Sequence, residues 1–203
     1  MSCTKLYYVY DPMCSWCWGY RPTWLTIESE IINQVEIRYL LGGLAQDTDQ
    51  TMPHAMQQQI ASYWKKIEGL LGTQFNYDFW QNNTPRRATY PACRAVLVAR
   101  KHGLEKQMLY AIQQAYYLQA RNPSDNEILV ELAQGLGLDN KTFSQQLTAA
   151  VTQDELVQEI NFARSIGGNS FPSLFVESHG QIQEIPIDYQ NPSVTVNVIK
   201  SLL

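Results

Sequence analysis

Residues 11–19 read DPMCSWCWG, a Cys-x-x-Cys motif that joins a strand-like segment to a helix-like one. Residues 4–10 before it are mostly apolar or aromatic, which predicts a buried β-strand. The chain after it has helical spacing, so Cys14 lies where a helix begins. Unpaired backbone N–H groups and the positive end of the helix dipole favour a thiolate there. We therefore predict that Cys14 is a nucleophile. Cys17, one turn further along, is predicted to resolve a mixed disulfide formed at Cys14.

Composition limits the possible classes of protein. The 203 residues are 45% hydrophobic and only 17% charged, which suits one domain, or one domain with a large insertion, around a substantial core. A net charge of −4 without basic runs argues against partners such as nucleic acid or an anionic membrane. The first residues do not resemble a cleavable signal, and no apolar stretch approaches the length of about 20 residues that spans a bilayer. The expected location is the cytoplasm.

The cysteine pair has two less reactive interpretations, half of a zinc site or two core thiols. A zinc site needs a second ligand pair, and the other candidates are scattered singly: Cys3, Cys93, His54, His102 and His179. Redox chemistry is therefore favoured over metal binding, and no metal ligand is assigned. The remaining cysteines, Cys3 and Cys93, are expected to behave as small apolar core residues.

The rest of the chain predicts two halves of one sheet separated by helices. Residues 35–41 alternate as a second strand, which completes a βαβ unit. Residues 46–151 have helical periodicity, with capping patterns at Ser124, Asp139 and, for the following helix, Thr152. Residues 173–177 and 181–187 then predict an antiparallel pair, and a helix covers 192–203. The predicted domains are 1–45 with 152–203, and the inserted all-helical domain 46–151.

With its Cys-x-x-Cys at the first helix, this βαβ–ββα order resembles the thioredoxin fold, an α/β fold with a mixed central sheet. The inserted helices resemble its DsbA-like branch. Residues 169–176, NSFPSLFV, are similar to the cis-proline loop of that family, which faces the cysteines. Residues 11–19 are also similar to a cytoplasmic DsbA-like subgroup that includes FrnE-type proteins.

The resemblance implies a thiol–disulfide oxidoreductase or protein disulfide isomerase. Its partners would be protein or peptide thiols and disulfides, and glutathione or a thioredoxin system would recycle it. The redox-active disulfide Cys14–Cys17 takes the place of a cofactor, with glutathione as a further candidate co-substrate. The resemblance also implies a cis bond between Phe171 and Pro172. A proline cannot donate a ladder hydrogen bond, so Pro172 suits a strand end beside a surface groove. The cis bond would turn the Phe171 backbone outward beside Cys14, where an extended substrate segment could pair with it.

Between the cysteines, Ser15 and Trp16 replace the Pro-His pair of the strongly oxidising DsbA type. We therefore expect a less oxidising couple, in which the helix terminus and the Ser15 hydroxyl support the Cys14 thiolate. Four aromatic residues are candidates for an apolar rim that binds substrate: Trp16, Trp18, Tyr20 and Phe171. For Trp18 and Tyr20, core packing is an equally good interpretation.

Two other functions stay open at this point. The first is a glutathione-dependent transferase or isomerase, similar to kappa-class glutathione transferases and hydroxychromene-carboxylate isomerases. Those proteins typically carry serine at the nucleophile position, whereas this chain keeps both Cys14 and Cys17. The second is a redox-inert chaperone or adaptor that binds peptides in the same groove.

Overall fold

The computed structural model describes residues 4–203, and the chain forms two compact units. The sheet unit combines the chain up to Gly42 with Glu159–Leu203, and the helical unit is Gly43–Gln158. Cys3, predicted to be a small core residue, lies outside the described residues. Within the described residues, no helix is both long and apolar enough to cross a bilayer.

Four strands form the sheet of the sheet unit: β1 (Lys5–Tyr10), β2 (Glu36–Leu41), β3 (Ser173–Ser178) and β4 (Gln181–Ile185). Their order is β2-β1-β3-β4. The β1–β2 pair is parallel, whereas β1–β3 and β3–β4 are antiparallel. This confirms the predicted mixed sheet. β4 ends at Ile185, two residues earlier than predicted, because Pro186 has no N–H to continue the ladder.

Nine helices occur in the described part of the chain. In order they are α1 (Ser15–Ile31), α2 (His54–Leu71), α3 (Phe79–Asn82), α4 (Tyr90–Arg100), α5 (Glu105–Tyr117), α6 (Asn126–Gly135), α7 (Asn140–Leu147), α8 (Ala150–Ser165) and α9 (Pro192–Ser201). Residues 73–87, rich in Asn and aromatic residues, predict a loop, and the structure adds the four-residue α3 within it. Two sheet halves separated in sequence by helices confirm the DsbA-like architecture.

The two faces of the sheet carry different side chains. On one face, Tyr8 stacks on Trp24 of α1 with ring centroids 4.3 Å apart. On the other face, a buried apolar cluster contains Tyr7, Val9, Leu40, Ala163 and Phe175, and its Ala163 belongs to α8. Because successive residues of β1 point to opposite faces, this strand is buried on both sides, as its apolar sequence predicted.

The helical unit has its own aromatic core. Trp64 of α2 is fully buried, and rings from α3, α5 and the loop before α3 surround it: Phe75, Tyr77, Phe79, Trp80, Tyr116 and Tyr117. Arg94 of α4 reaches Asp47 with two hydrogen bonds of 2.8 Å. Such a fork-shaped pair fixes both side chains. An aromatic core and a bidentate ion pair therefore stabilise the helical unit.

One of the three predicted helix caps is confirmed. The Asp139 carboxylate accepts a hydrogen bond of 2.8 Å from the Thr142 N–H at the start of α7. The Ser124 cap is wrong, because the N-cap residue of α6 is Asp125, and the Ser124 hydroxyl donates to the Ala88 carbonyl at 2.7 Å. The Thr152 cap is also wrong, because α8 begins at Ala150 and Thr152 lies inside it.

Candidate active site

Cys14 is the residue that caps the N-terminus of α1. Its backbone is extended, with φ −80° and ψ 115°, and its carbonyl accepts the Trp18 N–H at 3.1 Å. Its side chain is 8% exposed. Cys14 therefore stands at the positive end of the α1 dipole, although its side chain makes no capping hydrogen bond.

Cys17 lies one turn further along α1 and is more deeply buried, with 1% of its surface exposed. Burial raises the pKa of the Cys17 thiol well above its usual value, and hydrogen bonding and charge interaction with Cys14 raise it further. Cys17 is thus kept as a neutral thiol, next to a cysteine that is more accessible.

The turn before Cys14 depends on Asp11, a fully buried residue. Its carboxylate accepts the Met13 N–H at 2.8 Å, and its carbonyl accepts the Cys14 N–H at 3.0 Å. Sequence reasoning assigned no role to Asp11. The signal was present, since an Asp followed by Pro is a common way to begin such a turn.

The second part of the site comes from the loop before β3. The peptide bond between Phe171 and Pro172 is cis, and Pro172 is buried. The Cys14 thiol donates a hydrogen bond to the Phe171 carbonyl, with Sγ and O 3.5 Å apart. The sheet therefore brings together two segments that are 157 positions apart in the sequence.

The Phe171 ring, a candidate for the apolar rim, contacts the core of the sheet unit. It is half-buried and packs against the cluster of Tyr7, Val9 and Phe175. The ring lies so close to Gly42 that a Cβ atom at Gly42 would be 1.9 Å from its Cε1 atom. Phe171 therefore turns its carbonyl towards Cys14 and its side chain into the fold.

The other predicted site residues differ in exposure. Ser15, Trp16 and Trp18 are half-buried in the first turns of α1, next to the cysteines in sequence. Tyr20 is fully buried, so it offers no surface to a substrate, and the structure favours its interpretation as a core residue.

Tyr189, in the loop after β4, is a site residue that the sequence analysis missed. Its ring makes edge contacts with Trp16 and Tyr20, each at a centroid distance of 5.3 Å. Thr23 of α1 donates to the Tyr189 carbonyl at 2.6 Å. Burial raises the pKa of Tyr189, with smaller contributions from the charges of Cys17 and Cys14. The Tyr189 ring therefore contacts Trp16, the residue directly before Cys17. No local pattern could have revealed this contact.

Metal-binding side chains do not gather at this site. Across residues 4–203, no group of three or more His, Cys, Asp or Glu side chains lies close enough to hold an ion. What the site does present is two neighbouring thiols of unequal exposure, one of them beside a backbone carbonyl.

The sheet, the inserted helices and the cysteine pair at α1 define the DsbA-like thioredoxin fold. A family model described as Thioredoxin matches residues 7–191, and the chain belongs to this family.

Solved structures support the same placement. A candidate protein disulfide isomerase from Nitrosomonas europaea is 26% identical, with a TM-score of 0.85 over 98% of this chain and 97% of that one. The cytosolic disulfide reductase DsbM from Pseudomonas aeruginosa is 25% identical, with a TM-score of 0.77 over 97% of each chain. DsbM has also been solved with GSH, a structure 23% identical to this chain with a TM-score of 0.75, covering 97% of this chain and 98% of that one.

Curated relatives include the ClpXP adapter protein SpxH from Halalkalibacterium halodurans, which is 25% identical over 149 residues. The match covers 70% of this chain and 48% of SpxH. The chain spans about half the length of the curated relatives it matches.

Proposed function

We propose that this protein is a DsbA-like thiol–disulfide oxidoreductase that exchanges disulfides with protein or peptide thiols through Cys14 and Cys17. The observation that carries the proposal is the position of Cys14. Its Sγ lies at the start of α1 and 3.5 Å from the Phe171 carbonyl, with the buried thiol of Cys17 one turn away. Cys14 keeps 8% of its surface exposed and Cys17 only 1%, a difference that suits an attacking and a resolving group.

In the reducing direction, the Cys14 thiolate attacks one sulfur of a substrate disulfide. A Cys14–substrate bond forms, the substrate S–S bond breaks, and the second substrate sulfur leaves and takes up a proton. Cys17 then gives up its proton and attacks Cys14 Sγ, which releases the first substrate sulfur as a thiol. Two electrons have moved to the substrate, and a Cys14–Cys17 disulfide remains. Oxidation is the reverse sequence, and isomerisation begins with the same attack.

Substrate would bind as an extended segment across the site. The Phe171 backbone, whose carbonyl already faces Cys14, offers a hydrogen-bonding edge to such a segment. The half-buried rings of Trp16 and Tyr189 contact each other and would form an apolar wall beside it, together with Trp18. These residues would bind unfolded or peptide substrates through their apolar surfaces.

We assign the reducing direction, with glutathione as the recycling thiol and the cytoplasm as the location. The similarity to DsbM, named a cytosolic disulfide reductase and solved with GSH, supports this assignment. Two glutathione thiols would reduce the Cys14–Cys17 disulfide and leave as glutathione disulfide, so electrons balance. The FrnE-like subgroup remains our proposal on the basis of residues 11–19.

Insulin reduction by a thiol reductant tests the function directly. We expect the wild-type protein to accelerate it and Cys14→Ser to abolish the acceleration. Cys93→Ala is the matched control, because Cys93 is fully buried inside α4, and it should reduce insulin at the wild-type rate. If the Cys14→Ser protein were as active as the wild type, the oxidoreductase proposal would be wrong.

The similarity to SpxH favours one second candidate, a peptide-binding adapter without turnover. The doubly substituted protein Cys14→Ser, Cys17→Ser separates the two. An adapter should bind unfolded peptides equally well with or without its thiols, and its wild type should show no reductase activity above background.

A further inference from the structure

We propose that Arg164 is a positioning residue for Cys14, because its guanidinium fixes the loop that places the Phe171 carbonyl against the Cys14 thiol. This inference rests on the proposed function. It adds a residue that lies in α8, outside both segments that carry the site, Asp11–Cys17 and Phe171–Pro172.

Arg164 joins two separate pieces of backbone. Its Nη1 donates to the Gly168 carbonyl at 2.7 Å, in the loop that leads to Phe171. Its Nη2 donates to the Gly42 carbonyl at 3.0 Å, directly after β2. A planar guanidinium holds both bonds in one rigid fork, which a lysine cannot do. The loop is therefore attached to the end of β2 through a single side chain.

Arg164 also contacts Phe171 itself. The guanidinium carbon lies 5.1 Å from the centre of the Phe171 ring, within the range of a cation–π contact. The same ring lies against the bare Cα of Gly42, where an added Cβ would be 1.9 Å from its Cε1. The Phe171 ring is thus held by Arg164 and by a position that only glycine can occupy.

The Gly42 position is itself anchored by α8. Glu159, five residues before Arg164, accepts the Leu41 N–H at 2.7 Å. The Gly42 N–H in turn donates to the Tyr10 carbonyl at 2.7 Å. These contacts fix the end of β2, and with it the Gly42 backbone against which Phe171 packs.

This arrangement has a chemical consequence at Cys14. In the dithiol form, the Cys14 thiol donates to the Phe171 carbonyl. In the Cys14–Cys17 disulfide there is no S–H, so the contact stabilises only the reduced protein. A hydrogen bond of ordinary net strength changes the dithiol–disulfide equilibrium by about two- to tenfold. Loosening Phe171 should therefore move this equilibrium towards the disulfide.

The test measures the fraction of dithiol protein at fixed ratios of reduced to oxidised glutathione, after acid quenching and mass analysis. Arg164→Met keeps the length of the side chain and removes its charge and hydrogen bonds. We expect its equilibrium to shift about two- to tenfold towards the disulfide. Arg38→Met is the matched control. Arg38 lies in the same unit and pairs with Glu36 on the surface, so the variant should match the wild type.

Gly42→Ala tests the same contact from the other side, because its new Cβ would displace the Phe171 ring. It should shift the equilibrium in the same direction, and combining it with Arg164→Met should give less than the sum of the two effects. Arg164→Lys should shift the dithiol–disulfide equilibrium by an intermediate amount. If circular dichroism shows that the Arg164→Met protein is unfolded, Arg164→Lys is measured in its place.

An equilibrium equal to that of Arg38→Met in both the Arg164 and the Gly42 variants would overturn the inference, as would a shift towards the dithiol. This outcome differs from failure of the proposed function. A wild-type protein that cannot reduce insulin removes the oxidoreductase activity, but the glutathione equilibrium needs no turnover and still measures the effect of Arg164.

Discussion

Cys93 and the Cys14–Cys17 pair are all buried, yet their surroundings differ in kind. Cys93 lies in the middle of α4, where every residue from Tyr90 to Ala99 is buried. Cys14 lies at the very start of α1, next to a loop carbonyl. Burial alone therefore does not separate a core cysteine from a reactive one. What separates them is the position along the helix and the presence of a neighbouring thiol.

The largest difference between these cysteines should appear when the resolving thiol is removed. Cys17→Ala leaves Cys14 able to attack a substrate disulfide but removes the group that releases the product. We expect turnover to fall to background and a Cys14–substrate disulfide to accumulate, visible by non-reducing electrophoresis and mass analysis. Cys93→Ala should turn over normally and trap nothing. An active Cys17→Ala protein would show that Cys17 does not resolve the mixed disulfide.

A smaller difference is expected in the rates of alkylation. Cys14 is 8% exposed, whereas Cys17 and Cys93 are 1% and 0% exposed, and the pKa of Cys17 is raised. We expect iodoacetamide to label Cys14 at least about tenfold faster than either of the others near neutral pH. Pulse labelling of the reduced native protein followed by peptide mass analysis gives the three rates. Equal rates for Cys14 and Cys17 would contradict the assignment of roles.

The smallest expected effect is on stability at alkaline pH. Because the pKa of Cys17 is raised on folding from its ordinary value of 9.0, the unfolded protein loses this proton first. The stabilisation from Cys17 is complete below pH 9 and is lost as pH rises above it. The free energy of unfolding should therefore fall by up to about 1.4 kcal/mol per pH unit more steeply than in Cys17→Ala.

Urea unfolding of both reduced proteins between pH 8 and 10 measures this difference. Burial, the largest cause, keeps the pKa of Tyr8 and of Tyr189 raised in both proteins, so neither phenol loses its proton in the folded state over this pH range. Parallel pH profiles would show that Cys17 is not protected by burial.

Much of the sheet unit was predictable because its signals are local. The apolar run of residues 4–10, the helix after Cys14 and the alternation in 35–41 each specify an element through their own side chains. From these, and from the resemblance of the two motifs, the DsbA-like fold followed.

The parts that could not be predicted depend on contacts across the fold. The ring contact between Tyr189 and Trp16 and the hydrogen bond from Arg164 to Gly42 each join segments that are far apart in the sequence. The predicted cap at Ser124 was wrong for the same reason, since the Ser124 hydroxyl donates to the Ala88 carbonyl of another segment. A side chain with several available partners cannot be assigned one from its neighbours in sequence.

The pairing of Cys14 with Cys17 is the central claim, and a glutathione redox titration with peptide mapping tests it most directly. We predict one two-electron transition in which the peptide that carries Cys14 and Cys17 loses two hydrogens, while Cys93 remains a thiol throughout. Absence of a Cys14–Cys17 disulfide at every ratio of oxidised to reduced glutathione would contradict the account.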